Sequence, residues 1–254
     1  MSPSPIEAIG GAFTRAGRVT ALFRYPVKSM RGHALERATV DRHGLTGDRR
    51  FALRRIGVTT GFPWLTATRA PALILYEVAL DLENARQTAD VTVRAPDGKS
   101  FVLGSDSFAD HIRYNLGHEI EAMHLDRGIF DCAGVSVISR QTIESLEQLA
   151  GRSLDVARFR PNIVVDTSDA SGFPEHGWLG ARMAIGLPAG GVELGVTEDD
   201  PRCSMINLDP ETGESDPVVL RTVAQQRANI AGVYAVPIRL GAIAVGDPVY
   251  VALP

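Results

Sequence analysis

Apolar positions along the chain cluster into short runs rich in Val, Thr, Leu and Phe, which begin at Arg18 and are separated by Gly, Pro or Asp. Such runs are typical of β-strands joined by turns. They read RVTALFRYPV, RATVDRHG, RRFALRRI, PALILYEVAL, DVTVRAP and SFVLG, then VSVIS, ARFRPNIVVDT, MAIGL, GVELGVTE, SMINLD, VYAVPIRLGAIAV and DPVYVAL. Short strands at this spacing favour a barrel or a sandwich over a doubly wound sheet.

Two segments change to a helical period. Residues 106–124 predict a short helix capped by Asp106 and followed by another strand, because apolar side chains recur every four positions on one face. The segment SRQTIESLEQLAG predicts a helix that begins at Ser139 and ends at Gly151. The predicted fold class is therefore mainly β with some helix (α+β).

The pattern also predicts how the chain is divided. Residues 1–16 contain two prolines and a Gly-Gly pair, which predict a loose leader. Residues 17–120 are predicted to form an N-terminal β-barrel-like domain, and residues 121–254 a second β-barrel domain with helical inserts.

Composition excludes several classes of protein. With 254 residues, 44% of them hydrophobic and 22% charged, the chain is not wholly disordered. A net charge of −4 and 6% aromatic residues argue against binding to nucleic acid. The sequence shows no signal peptide and no apolar run approaching the roughly 18 residues of a membrane helix. We expect a cytoplasmic protein with reduced thiols and no membrane association.

Cys203 is the first candidate for chemistry, in the segment DDPRCSMINLDPETG. A thiol at a strand mouth beside Arg202 favours the thiolate, which is a soft metal ligand, whereas Asp199 and Asp200 act in the opposite direction. The alternative is a small apolar residue that starts a strand. The second cysteine, Cys132, is interpreted as an ordinary buried thiol at a strand entry. The chain has no CxxC pair, and two cysteines cannot hold a four-cysteine iron–sulfur cluster.

Cations at strand ends form the second candidate. They are Lys28 in RYPVKSM, Arg49 and Arg50 in GDRRF, and Arg160 in FRPN. Side chains in such positions suit the binding of a phosphate, to which Ser29 and Asn162 would add neutral hydrogen bonds. The alternative is a set of solvated surface charges. No GxGxxG, G-x-S-x-G or HExxH motif is present, so nucleotide binding and serine or zinc hydrolysis are not supported.

Several of these motifs resemble a known family. The segments RVTALFRYPVKSMRG, GLTGDRRFAL and LTATRAP are similar to the N-terminal β-barrel domain that precedes MOSC domains. The segments FRPNIVVD, GARMAIG, DDPRCSMINLDPETG and AVGDPVYV resemble the MOSC domain itself, the C-terminal domain of molybdenum-cofactor sulfurases. The pattern is similar to that of the amidoxime-reducing component and its bacterial counterparts, which reduce N-hydroxylated compounds.

The resemblance implies a molybdenum cofactor in the cleft between the two domains. Cys203 would supply the thiolate to the metal and would be the catalytic residue. The remaining cofactor-binding residues implied by the resemblance are Lys28, Ser29, Arg50, Ser139, Arg160 and Asn162. Lys28, Arg50 and Arg160 are expected to converge on one anion site. No pyridoxal phosphate, flavin or iron–sulfur cluster is expected in this chain.

The function implied is an oxidoreductase that reduces N-hydroxylated or N-oxide small molecules. Nothing in the chain is expected to bind NAD, flavin or an iron–sulfur cluster, so electrons are expected from a separate donor protein, a reductase or a ferredoxin-like partner. The alternative is a carrier of the cofactor or of sulfur that has no turnover of its own. A third possibility is a barrel that binds a ligand without metal.

Overall fold

The computed structural model describes residues 12–59, 61–79, 87–169 and 172–254. The strands are β1 Thr14–Arg24, β2 His33–Leu35, β3 Arg37–Asp41, β4 Gly44–Leu45, β5 Phe51–Arg55, β6 Glu77–Val78, β7 Thr92–Arg94, β8 Ser100–Val102, β9 Ile120–His124, β10 Val135–Ser139, β11 Ile163–Thr167, β12 Arg182–Ile185, β13 Val192–Pro201, β14 Ile230–Arg239, β15 Gly241–Ala244 and β16 Pro248–Ala252. The α-helices in the described residues are α1 Asp106–Leu116, α2 Arg140–Ala150 and α3 Pro217–Arg227.

Seven of the described strands form a barrel in the order β1, β11, β10, β14, β13, β12 and β16. The pairing of β16 with β1 closes it. The pairing of β10 with β11 is parallel, and the other pairings around the barrel are antiparallel. Alternate side chains point inward along each strand. The inward-facing core includes Val19, Val137, Leu194, Val233 and Val249. This architecture confirms the predicted fold class.

Two further cores lie beside the barrel. One lies beneath the sheet of β6, β7 and β8, the β5–β9 pair and α1, and it includes Phe51, Leu53, Val93 and Phe108. The other is formed where α2 covers the outer face of β10 and β11 and α3 packs against α2 and β14, with Ile138, Leu146, Val164 and Val223. The barrel itself combines strands from both ends of the sequence, since β1 pairs with β11 and β16. The separate sheet of β15, β3 and β4 does the same, since β3 pairs with β15.

The predicted leader is only partly within the described residues. Residues 1–11 lie outside them, and Thr14–Arg24 is already β1. The helix predicted between Ser139 and Gly151 is present: the Ser139 hydroxyl accepts a hydrogen bond from the Thr142 amide at 3.0 Å, and Gly151 is left-handed with φ 68°. These are the usual start and end signals of a helix.

Other local predictions were wrong. The cap of α1 is Ser105, whose hydroxyl accepts from the Phe108 amide at 3.2 Å, and Asp106 is the first helical residue. The run SMINL forms a 3₁₀ turn, Ser204–Asn207, and PALIL forms another, Pro71–Leu75. Short apolar runs of this kind do not distinguish a strand from a helical turn by periodicity.

Gly44 marks a close contact between two segments. Its φ is +114°, and a Cβ atom there would lie 1.9 Å from the carbonyl oxygen of Gly134. Only glycine permits both this backbone conformation and this approach. The contact fixes β4 against the loop that leads into β10.

Within the part of the chain that the structure describes, no helix has the length and apolar character needed to cross a bilayer.

Candidate functional site

A cleft of about 470 Å³ lies where the end of β13 meets the turn after β1 and the loop before β10. Among the described residues, its lining carries six Lys and Arg side chains and two aspartates. They are Lys28, Arg49, Arg69, Arg158, Arg160, Arg202, Asp131 and Asp200. Both cysteines, Cys132 and Cys203, line the same cleft, so thiol and cationic groups are brought together here.

The turn after β1 supplies Lys28 and Ser29. The Lys28 amide donates to the Phe51 carbonyl at 2.8 Å, and its Nζ donates to the Phe130 carbonyl at 2.7 Å. Burial lowers the pKa of Lys28, an effect that the nearby Asp131 carboxylate opposes. Ser29 is buried and left-handed, with φ 68°. The turn therefore presents one ammonium and one hydroxyl side chain to the cleft.

The Arg160 side chain is positioned in the cleft by its left-handed backbone and by contacts of its guanidinium. It ends the 3₁₀ turn Val156–Phe159 in a left-handed conformation, with φ 50°. Its guanidinium lies over the Tyr25 ring at 4.2 Å, and its Nη1 donates to the Met30 carbonyl at 2.8 Å. Its Nη2 is buried and has no hydrogen-bond partner among the described residues.

Burial lowers the pKa of Arg160 to about 10. The Arg49 cation adds to this lowering, and Tyr25 opposes it only partly. A guanidinium stays protonated under ordinary conditions, so this buried side chain is a cation, and it forms no salt bridge with any residue in the described ranges. An anion placed at Nη2 would supply a counter-charge.

Arg49, and not Arg50, is the arginine of GDRRF that lines the cleft. Its Nε lies 2.6 Å from Asp131 Oδ2 and its Nη1 lies 2.5 Å from Asp48 Oδ2. Its Nη2 donates to the Arg160 carbonyl at 2.8 Å, which links the two arginines. Burial acts to lower the pKa of Arg49, but the adjacent carboxylates Asp48 and Asp131 raise it overall.

Arg50 lies away from the cleft, against our prediction that it converges with Lys28 and Arg160. Its Nε donates to the Leu125 carbonyl at 3.0 Å, and its Nη2 donates to the same oxygen. Arg49 is left-handed, with φ 47°, and Arg50 leads into extended β5, so the two neighbouring side chains leave the backbone in different directions.

Asn162 and Ser139, expected to bind the cofactor, lie behind the cleft wall and not on it. The Asn162 side chain is fully buried, accepts from the Ser136 amide at 3.0 Å and Arg49 Nη1 at 3.2 Å, and donates to the Phe23 carbonyl at 3.3 Å. Asn162 therefore positions Arg49. Ser139 is the buried cap of α2, and its hydroxyl donates to Thr142 Oγ1 at 3.1 Å.

Cys203 follows β13 and precedes the 3₁₀ turn Ser204–Asn207, with an exposed free thiol on the cleft. The guanidinium of Arg202 is occupied by internal partners. It lies 2.8 Å from Asp200 Oδ2 and donates to the Ala231 carbonyl at 2.6 Å and the Phe159 carbonyl at 2.7 Å. Arg202 thus fixes the backbone beside Cys203 to β14 and to the segment that carries Arg160.

Sequence reasoning misjudged Cys132. Predicted to be an ordinary buried thiol, it is exposed and lines the cleft. Its amide donates to Asp131 Oδ1 at 2.9 Å, and partial burial together with the Asp131 charge raises the pKa of the Cys132 thiol. The available signal was the turn chemistry of Asp-Cys-Ala-Gly directly before buried β10, which places a side chain at a barrel mouth.

Asp200, which the sequence indicates only as a negative charge near Cys203, is a buried carboxyl on the cleft wall. It accepts a hydrogen bond from Ser136 Oγ at 2.7 Å. Burial raises the pKa of Asp200, although Arg202 and Ser136 favour its charged form.

The cations of the cleft divide into two groups. Arg49, Arg158 and Arg202 each have a carboxylate partner. Lys28, Arg69 and Arg160 form no salt bridge with any residue in the described ranges, and all three line this cleft. An excess of positive charge beside a free thiol, with an unpaired guanidinium nitrogen, fits a phosphate-bearing ligand that also carries a soft metal.

The fold and this cleft define a β-barrel protein with a cleft lined by cations and two thiols. The sequence profile of the MOSC domain matches residues 116–250, and that of the MOSC N-terminal beta barrel domain matches residues 16–128. The chain belongs to the MOSC-domain family.

Curated proteins similar to this chain include two amidoxime-reducing components. The mitochondrial amidoxime reducing component 2 of Bos taurus is 31% identical over 133 residues, which cover 47% of this chain and 37% of the bovine protein. The mitochondrial amidoxime-reducing component 1 of Danio rerio is 25% identical, covering 93% of this chain and 85% of the zebrafish protein. Both names place these relatives in mitochondria, and the cytoplasmic location expected for this chain stays a prediction.

A crystal structure has the same overall fold. The YuaD protein from Bacillus subtilis superposes with a TM-score of 0.53 at 13% identity, covering 96% of this chain and all of that chain. At this identity the similarity concerns the fold alone.

Proposed function

We propose that the protein binds the molybdenum cofactor in this cleft and uses it as an oxidoreductase that reduces N-hydroxylated or N-oxide compounds. Electrons would come from a separate donor protein. The observation that carries the proposal is the shared cleft of the exposed Cys203 thiol and the Arg160 guanidinium, whose Nη2 has no partner among the described residues. The similarity to two proteins named as amidoxime-reducing components supports the substrate class.

The residues present fit this cofactor. Arg160 and Lys28 would hold the phosphate of the pyranopterin, with the Ser29 hydroxyl as a neutral donor. Arg49, which also lines the cleft, fixes the carbonyl oxygen of Arg160, and Asn162 behind the cleft wall positions Arg49. Cys203 would supply a soft thiolate to the metal.

When bound, the cofactor supplies two-electron oxygen-atom chemistry. The overall reduction converts R–NH–OH, two electrons and two protons into R–NH₂ and water, so the cleft needs a source of protons. Asp200 is a buried carboxyl on the cleft wall, and burial raises its pKa. Ser136 Oγ fixes its orientation at 2.7 Å. The Asp200 carboxyl would donate a proton toward the hydroxyl oxygen that the substrate loses, and solvent would then reprotonate Asp200.

The experiment measures molybdenum content and turnover of an amidoxime by purified protein, with reduced dye as the electron donor. We expect bound molybdenum and turnover in the wild type. Cys203→Ala should fold normally and lose molybdenum-dependent turnover. Arg50→Ala, an arginine variant outside the cleft, should retain both. Wild-type turnover and an unchanged metal spectrum in Cys203→Ala would refute the role of Cys203.

The second candidate function is a carrier of the cofactor or of sulfur. It is favoured by one observation, the presence of Cys132 as a second exposed thiol on the cleft of Cys203. A persulfide on one thiol can be attacked by another thiolate. Bound metal or sulfur without any turnover would support this function over the reductase.

A further inference from the structure

A second cavity of about 420 Å³, here called the side pocket, adjoins the cleft. We propose that the side pocket binds the aromatic ring of the substrate and so makes the protein selective for aryl-substituted N-hydroxylated compounds. This inference rests on the proposed reductase function and names the substrate class of that site.

The side pocket has a mainly apolar and aromatic lining. Its apolar residues are Phe62, Trp64, Met123, Leu125, Ile129 and Phe130. The rings of Trp64 and Phe130 meet edge to face, with centroids 4.7 Å apart and an interplanar angle of 71°. Flat apolar ligands are well matched to walls of this kind, and cavities of about 150 Å³ already accept benzene. The volume therefore accommodates a substituted ring.

Two of the aromatic walls are fixed by backbone contacts. Trp64 forms a β-bridge with Arg54 of β5, and the Phe130 amide donates to the Arg49 carbonyl at 2.8 Å. Phe62 differs, because 55% of its surface is exposed. A ring bound in the side pocket would cover this apolar surface, which is a favourable change in water.

The side pocket joins the cleft through shared residues. Lys28, Phe62, Asp131 and Cys132 line both cavities. A ligand that spans the junction would place its ring beside Trp64 and its polar group in the cleft that contains Cys203.

The junction between the side pocket and the cleft also determines which polar group of a ligand is favoured there. Arg49 and Lys28 hold the pKa of Asp131 below its ordinary value although burial acts to raise it, so this carboxyl is charged at neutral pH. Its oxygens already accept from Arg49 Nε and the Cys132 amide, but a carboxylate has lone pairs left for further donors. The N–H and O–H groups of an amidoxime whose ring occupies the side pocket would donate to this carboxylate.

The test compares benzamidoxime with acetamidoxime, which share the polar group and differ in the ring. Both turnover with reduced dye and binding by calorimetry are measured for the wild type, Phe62→Ala and Ile56→Ala. Ile56 is a matched control, since it is 54% exposed and lines neither cavity. We expect the wild type to bind benzamidoxime more tightly, and Phe62→Ala to weaken benzamidoxime alone by about tenfold.

The outcomes separate this inference from the proposed function. Turnover of both compounds with no preference for the aryl compound would contradict ring binding in the side pocket but not the proposed reductase function. An equal effect of Phe62→Ala on both compounds would have the same consequence. Selective binding of benzamidoxime without turnover would support the side pocket and contradict the reductase. A loss of benzamidoxime affinity in Ile56→Ala equal to that in Phe62→Ala would also contradict ring binding in the side pocket.

Discussion

Replacing Arg160 by Ala tests the anion site most directly. The substitution removes the one cleft guanidinium that, within the described residues, combines a buried unpartnered nitrogen with the absence of any salt bridge. A hydrogen bond between a charged donor and a phosphate contributes about 1.5–3 kcal/mol, so we expect cofactor retention to weaken roughly 10–100-fold. Arg160→Lys should restore only part of this, because an ammonium cannot reproduce the planar fork.

The effect on folding should be small. Arg160→Ala loses the contact with the Tyr25 ring and the hydrogen bond to the Met30 carbonyl. It also removes a buried cation without a counter-charge, and these changes oppose one another. We expect the free energy of unfolding of the cofactor-free protein to change by about 1 kcal/mol or less, a shift in Tm of roughly 2–4 °C.

The assay has two parts. Molybdenum per chain is measured after gel filtration, and binding of inorganic phosphate to the cofactor-free protein is measured by calorimetry. Arg50→Ala is the matched control, because its guanidinium donates to the Leu125 carbonyl and lies outside the cleft. If Arg160→Ala keeps wild-type molybdenum content and phosphate affinity, or if Arg50→Ala loses as much, the anion site has been assigned to the wrong residue.

The remaining predictions concern metal binding, electron supply and stability. Cys203→Ser should bind molybdenum weakly and change its absorption spectrum, since a hydroxyl is a hard ligand; an unchanged spectrum would argue against Cys203 as the ligand. The purified chain should not oxidise NADH in the steady state, and a reductase or reduced dye should start turnover; NADH oxidation by the homogeneous chain would remove the need for a partner. Asp131→Asn breaks the 2.6 Å contact with Arg49, which keeps its contact with Asp48, and should cost about 2 kcal/mol at pH 7. Because the pKa of Asp131 is lowered on folding, that stabilisation is fully present above the ordinary carboxyl pKa of about 4 and is lost as the pH falls through the lower pKa of the folded protein. Urea unfolding at pH 7 and pH 3 checks this, and a difference that is as large at pH 3 as at pH 7 would contradict it. Gly44→Ala should destabilise the protein by more than about 2 kcal/mol, measured by thermal unfolding, because its Cβ would meet the Gly134 carbonyl; a wild-type Tm would refute this.

The sequence predicted those elements whose signals are local. The start and end of α2 followed from Ser139 and Gly151, and the barrel strands followed from their apolar runs. Helix α3 was missed. Its cap is Asp216 and Pro217 is its first residue, both ordinary start signals, but the β-branched residues that follow them have a low helix propensity.

Within the candidate site, the sequence identified the segments better than the side chains. The segment GDRRF does reach the cleft, but the left-handed backbone at Arg49 decides which arginine points inward, and no periodicity reveals that angle. Cys132 was misjudged for a related reason. Its exposure depends on where the loop before β10 meets the end of β13, a contact between segments far apart in the sequence.

The closure of the barrel has a consequence for the order of events during folding. The seam joins β1 to β16, and the Thr14 hydroxyl donates to the Val251 carbonyl across 237 positions of chain. Contacts of such long range form slowly, because the entropy of a very large loop must be lost first. The end of β1 that leads into the turn with Lys28 pairs instead with β2 and β11. The cleft side of the barrel can therefore form before the seam on the opposite end of β1 closes.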